Sequence, residues 1–79
     1  MMTEKLLTQA IEQTTKLEFH EIFRVKDLFR GYEWNRLSRN DRFLLGRAFL
    51  RYVTEEKNVR IELVEKTARG QQKYKIVSK

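Results

Sequence analysis

Leu6, Leu7, Ala10, Ile11, Thr14 and Leu17 recur at three- and four-residue spacings, with Glu4, Lys5, Glu12 and Lys16 mostly between them. That is the period of an amphipathic helix, predicted over Thr3 to about Glu18. Thr3 suits the N-cap, and Glu4 suits the first turn, where a carboxylate meets the positive end of the helix dipole. The following stretch, FHEIFRVKDLF, is too densely apolar for a surface loop. An extended Ile22 to Val25 puts Phe23 and Val25 on one face, so a short strand is expected there. A short helix over Lys26 to Arg30 follows, which Gly31 ends or bends. Gly31 to Leu37 then forms a connection whose Trp34 and Leu37 fill the angle between helices.

The segment SRNDRFLLGRAFLRYV opens a third helix, predicted over Arg39 to Glu56. The Ser38 hydroxyl can accept from the amide of Asp41, whose carboxylate can reach back, an aspartate form of the capping box. At 100° per residue, Leu44, Leu45, Ala48, Phe49, Tyr52 and Val53 fill one arc, and Arg39, Asn40, Arg47, Arg51 and Thr54 fall opposite. Arg42 projects at the edge of the apolar arc, where a carboxylate such as Asp27 or Glu33 is the expected partner. Phe43 and Leu50 fit neither arc. They either meet the C-terminal segment or form an apolar patch beside the arginines.

Alternation with period two takes over at the end of the chain. Val59, Ile61 and Leu63 alternate with Arg60 and Glu62, and Tyr74 and Ile76 alternate with Lys73 and Lys75. Gly70 supplies the positive φ that a tight connection needs, so residues 59–77 read as a β-hairpin with a basic loop. The chain is therefore α+β: three helices followed by a C-terminal β-hairpin, with a short strand between helices 1 and 2.

This order resembles the winged helix-turn-helix, a single winged-helix-like domain over residues 1–79. The resemblance implies a recognition helix over 39–56 that enters the DNA major groove, and a hairpin wing over 59–77 that rests on the phosphate backbone. The turn over Gly31 to Leu37 is longer and more apolar than the usual few residues. Val25, Asp27, Leu28, Phe29, Gly31, Trp34, Leu37, Arg42, Leu45, Gly46 and Phe49 also resemble a small, uncharacterised domain of unknown function found in Gram-positive bacteria and their mobile elements. That likeness covers about half the chain and implies a fold and an origin more than an activity.

Composition narrows the chemistry. With 79 residues and no cysteine, a small apolar core must hold the fold without disulfides or thiolate metal sites, and one histidine cannot build a zinc site. No apolar run approaches the roughly 20 residues of a spanning helix, so a cytoplasmic protein without membrane contact is expected. The net charge of +6 is one-sided. Six Lys/Arg balance six Asp/Glu up to Leu37, whereas Ser38 to Lys79 carries eleven against five. Such asymmetry points to a polyanionic partner.

Arginine on the third helix matters because a planar guanidinium makes paired hydrogen bonds to guanine or to phosphate, which a lysine cannot. Asn40 is a candidate for adenine. The expected contact set is Arg39, Asn40, Arg47 and Arg51 on the helix, with Lys66, Arg69, Lys73 and Lys75 of the hairpin on phosphates. The competing readings are a solvated face in which the arginines pair with Glu55 and Glu56, and lysines that guard the hairpin edge against mispairing. Gly46 within the helix costs about 0.8 to 1 kcal/mol relative to alanine, which close approach of phosphate, of another backbone or of the hairpin would explain, as would a kink.

Enzyme signals are close to absent: His20 stands without a partner constellation, and no serine, cysteine or glycine-rich loop has catalytic context. No cofactor is expected. Duplex DNA is the favoured partner, single strands and RNA stay open through stacking on Phe43, Tyr32 or Tyr74, and an acidic protein surface is the alternative. A homodimer also stays open.

Overall fold

The structure is a computed structural model and describes residues 2–56 and 60–77. Helix α1 spans Met2–Thr14, a two-residue strand β1 spans Ile22–Phe23, and a single 3-10 turn covers Val25–Leu28. Helices α2 (Gly31–Asn35) and α3 (Arg39–Glu55) follow, then strands β2 (Ile61–Lys66) and β3 (Gln72–Ile76). The three strands form one antiparallel sheet in the order β1-β3-β2. The expected α+β arrangement, with a strand between the first two helices and a terminal hairpin, is borne out; Val59, placed in the hairpin from sequence, lies outside the described residues.

Helix α1 starts at Met2, which puts Thr3 inside the first turn, and ends at Thr14 rather than near Glu18. The Thr14 and Thr15 hydroxyls donate to the carbonyls of Ile11 and Glu12 at 2.6 and 2.7 Å, while Thr15, Lys16 and Leu17 donate three residues back. These short-range bonds tighten the chain out of the α geometry. His20 is exposed and takes φ 73, with its amide donating to Ile76 O at 2.7 Å. That left-handed residue turns the chain into β1.

The largest departure from expectation lies between Arg24 and Ser38. The Asp27 carboxylate accepts from the Arg24 amide at 2.8 Å, which starts a 3-10 turn at Val25 instead of an α-helix at Lys26. The Glu33 carboxylate accepts from the Arg30 amide at 2.9 Å, so Gly31 begins α2 where it was expected to end a helix. Both are acidic residues three positions into a turn satisfying an orphan amide. The connection from α2 to α3 is consequently Arg36, Leu37 and Ser38, as short as helix-turn-helix turns are. At Ser38 the hydroxyl accepts from the Asp41 amide at 3.0 Å, as expected for the start of α3.

Ala10, Phe23, Val25, Leu28, Phe29, Leu45, Phe49, Tyr74 and Ile76 form the core. Phe49 meets Tyr74 edge-on at 4.9 Å between ring centres, and Tyr74 stacks on Phe23 at 5.7 Å, so α3 lies against the inner face of the sheet. Helix α1 packs on α3 from the other side through Ala10, whose small side chain permits close approach. Leu44, expected in the core arc, is 40 % exposed, because it sits at the far edge of that arc from Phe49.

Candidate nucleic-acid interface

Cross-strand register decides which hairpin cations can meet α3. Tyr74 opposes Phe23 and Leu63, and Ile76 opposes Ile61, so these residues share the inner face. Lys75 opposes Ile22 and Glu62, which places it, and Lys73 two residues away, on the outer face. Lys73 Nζ lies 3.9 Å from Glu65 Oε1. The structure therefore does not bring Lys73 and Lys75 to the α3 side of the sheet.

Lys66 behaves differently. The pairing shifts between Leu63 and Lys66, so that Lys66 opposes Gln72. Gln72 shares the inner face with Tyr74, and one extra residue in β2 thus swings Lys66 from the outer to the inner side, as β-bulges do. The Gln72 side-chain amide donates to Val64 O, occupying a carbonyl within the irregular stretch. Beyond it the chain turns through Thr67 to Gly70. Gly70 takes φ 85 and donates to Thr67 O at 2.9 Å, and Arg69 is exposed at this tip.

On α3, Arg39, Asn40, Arg47 and Arg51 are all exposed, as expected. Arg51 pairs with Glu55 at 3.3 Å, with the two side chains 77 % and 63 % exposed, a helix-surface pair of small energy. Arg47 lies 5.7 Å over the Phe43 ring. Arg42 does not pair with Asp27 or Glu33. Its guanidinium sits 5.5 Å over the Trp34 ring with a buried Nε that has no hydrogen-bond partner, while the two carboxylates accept from the Arg24 and Arg30 amides. Stacking on an aromatic face replaces the expected ion pair.

Between α3, the 3-10 turn and the hairpin loop runs a groove of about 330 Å³. Phe43, Gly46 and Leu50 form its α3 wall, Val25 and Trp34 a second, and Lys66, Gly70, Gln71, Gln72 and Tyr74 the third. Arg24, Lys26, Arg47 and Lys66 contribute cations, and none of its lining residues is acidic. Arg24 also ties the walls together: its guanidinium donates to Gln71 Oε1 at 3.2 Å and to Asp27 at 3.2 Å. Burial works to raise the Asp27 carboxyl, but the Arg24 hydrogen bonds and the charges of Arg24 and Lys26 outweigh it and hold the group below its ordinary range.

Phe43 and Leu50 are thus an apolar patch beside arginine that also faces the hairpin, 59 % and 37 % exposed. A Cβ on Gly46 would meet nothing within 4 Å, so neither the hairpin nor another part of the described chain approaches it. Sequence reading missed Arg24 and Lys26 as groove residues, placed Trp34 between helices, and named Tyr74 only as a stacking aromatic, which its burial rules out. The signal that pointed here was the misfit of Phe43, Gly46 and Leu50 on the helical wheel, since all three fall on one strip between core and arginines. No group of three His, Cys, Asp or Glu that could hold a metal occurs among the described residues, and no described helix is long and apolar enough to cross a membrane.

The fold and groove define a small α+β domain whose longest helix and hairpin share one cation-rimmed cleft. The chain belongs to the family described as a domain of unknown function, DUF1413, which it matches over residues 8–75. The expected likeness to an uncharacterised-domain family is thereby borne out. Among solved structures, the chain is similar to one described as an SCCmec type IV LP1413 nucleic acids binding protein. That likeness has 22 % identity and a TM-score of 0.75, covering 98 % of this chain and 95 % of the other. No curated protein matches the chain.

Proposed function

We propose that the protein binds nucleic acid, without catalysis, through the outward face of α3 and the cations around the adjoining groove. One observation carries this reading: the β2 irregularity turns Lys66 toward the same groove that Arg47 lines from α3, with no carboxylate in the lining. A cleft that gathers cations from separate elements and excludes acids suits a polyanion. The similarity to a protein described as nucleic acids binding supports it.

In the winged-helix form of the proposal, α3 enters the major groove of duplex DNA behind the short turn Arg36 to Ser38. Arg39, Asn40, Arg47 and Arg51 face bases and phosphates, while Lys66 and Arg69 hold the backbone. Lys73 and Lys75 take no part. A cytoplasmic regulator or accessory factor of a mobile element fits this reading, in keeping with the SCCmec origin named for the structural neighbour.

A second reading, in which the partner is single-stranded, is favoured by Phe43 and Leu50, whose exposure between cations suits unstacked bases better than a helical groove. Fluorescence anisotropy with duplex and single strands of one length, across a salt series, separates the two. Four phosphate contacts on duplex give a log-log slope of about −3.6. Arg47→Glu with Arg51→Glu weakens binding by about tenfold or more while leaving the circular-dichroism spectrum unchanged. A slope near zero, or no binding to either form, removes the nucleic-acid reading and leaves an acidic protein surface as the partner.

A further inference from the structure

We infer that the groove is a pocket for one unpaired nucleobase carrying its phosphate, and that the Tyr74 hydroxyl is the group that selects among bases. The inference rests on the nucleic-acid reading and assigns a specificity-determining residue within it. Tyr74 is 1 % exposed, with its ring held between Phe49 and Phe23. Its hydroxyl makes no hydrogen bond to any described residue, yet the one sealed side-chain polar atom without a partner among them is Arg42 Nε. The hydroxyl therefore keeps a sliver of exposed surface, and Tyr74 lines this groove. Burial pushes its pKa up to about 12, so it stays a neutral hydroxyl, able to donate and accept.

Size and charge define the guest. About 330 Å³ lies at the small end of ligand pockets and admits one planar ring system rather than a peptide helix. Gly46, with nothing within 4 Å of where a Cβ would stand, leaves the wall open between Phe43 and Leu50. Lys26, Arg47 and Lys66 call for an anion beside an apolar plate, and a base bearing phosphate has both parts. A nearly buried hydroxyl left dry opposite the wrong base edge loses a hydrogen bond, which is how such a group discriminates.

Two sources carry this chemistry, an unpaired base in a strand and a free nucleotide. Trp34, the single tryptophan of the chain, lines the groove and reports occupancy by fluorescence. The wild-type chain, Tyr74→Phe and Gly46→Leu are titrated with four homopolymeric deoxy-oligonucleotides and four nucleoside monophosphates. The wild type favours one base class by about fivefold, the worth of one hydrogen bond. Tyr74→Phe brings that base to the level of the others at an unchanged salt slope, and Gly46→Leu, which fills the groove, weakens all of them with the helical spectrum retained. Quenching by oligonucleotides alone makes a strand the source, and equal quenching by monophosphates makes it a free nucleotide. Salt-dependent binding with four equal affinities, or a preference that survives Tyr74→Phe, overturns the pocket and leaves the nucleic-acid reading standing. No binding of any oligonucleotide or monophosphate overturns the pocket, and the nucleic-acid reading falls with it when the duplex titration fails as well.

Discussion

The two faces of the sheet receive cations from the same hairpin and treat them differently. On the outer face, Lys75 stands opposite Glu62 and Lys73 lies within 3.9 Å of Glu65, so each lysine has an acid for a neighbour. On the inner face, Lys66 enters a groove whose lining holds no acid and whose other cations come from α3 and the 3-10 turn. Of the four hairpin cations, Lys73 and Lys75 are thus locally compensated, Lys66 lines the groove beside α3, and Arg69 is exposed at the tip. Placement, more than the net charge of +6, decides which cations a polyanion meets.

Charge reversal on each face breaks this comparison most directly. Arg47→Glu with Lys66→Glu removes two groove contacts, each worth about fivefold in affinity at 0.15 M salt on the counterion-release slope, so binding weakens by about thirtyfold or more. Lys73→Glu with Lys75→Glu changes it by less than about threefold, through long-range charge that salt screens. Anisotropy titrations of both double variants against one oligonucleotide are the measurement. Equal losses from the two faces erase the distinction.

Much of this arrangement was legible in the chain. Period-two alternation identified both hairpin strands, the 3.6-residue pattern identified α1 and α3, and Ser38 marked the start of α3 to the residue. The alternation of Tyr74 and Ile76 with Lys73 and Lys75 already implied that these lysines face away from the core, yet the side on which α3 would pack could not be read from a single strand. Lys66 was harder still. Strict alternation with Glu62 and Val64 assigns it to the outer face, and a one-residue bulge reverses that assignment without any glycine or proline to announce it. The region 24–38 was misread for a related reason. Asp27 and Glu33 each cap a short turn through the amide three residues before, a local hydrogen bond that outweighs the usual tendency of glycine to end a helix.

Tyr74 separates the faces in a second way, because it is the ionisable group of β3 that points inward. Its folded pKa, pushed up to about 12, lies above its ordinary value of 10.0. Between these two pH values the unfolded chain releases the proton and the folded chain keeps it. Stability is therefore intact below pH 10 and falls as pH rises toward 12, by an amount on the order of 1 to 2 kcal/mol, given that the hydroxyl is not fully sealed from solvent. Urea melts from pH 9 to pH 12 show the decline in the wild type. Tyr74→Phe removes this contribution and leaves a flatter profile, whereas Lys73→Gln and Lys75→Gln on the outer face leave the decline in place.

The smallest effect tests whether the groove face trades stability for room. Gly46 lies within α3, between Phe43 and Leu50 on the groove wall, where a Cβ meets nothing within 4 Å. No steric conflict opposes alanine, so Gly46→Ala gains the helix-propensity difference of about 0.8 kcal/mol. In a domain of this size that raises the melting temperature by about 3 to 6 °C. A methyl group narrows the groove only slightly, so nucleic-acid affinity stays within about threefold of the wild type while Gly46→Leu weakens it further. If Gly46→Ala instead lowers the melting temperature, the open space at this position is filled in solution by the chain itself, and the contrast between a compensated outer face and an acid-free inner groove fails at its centre.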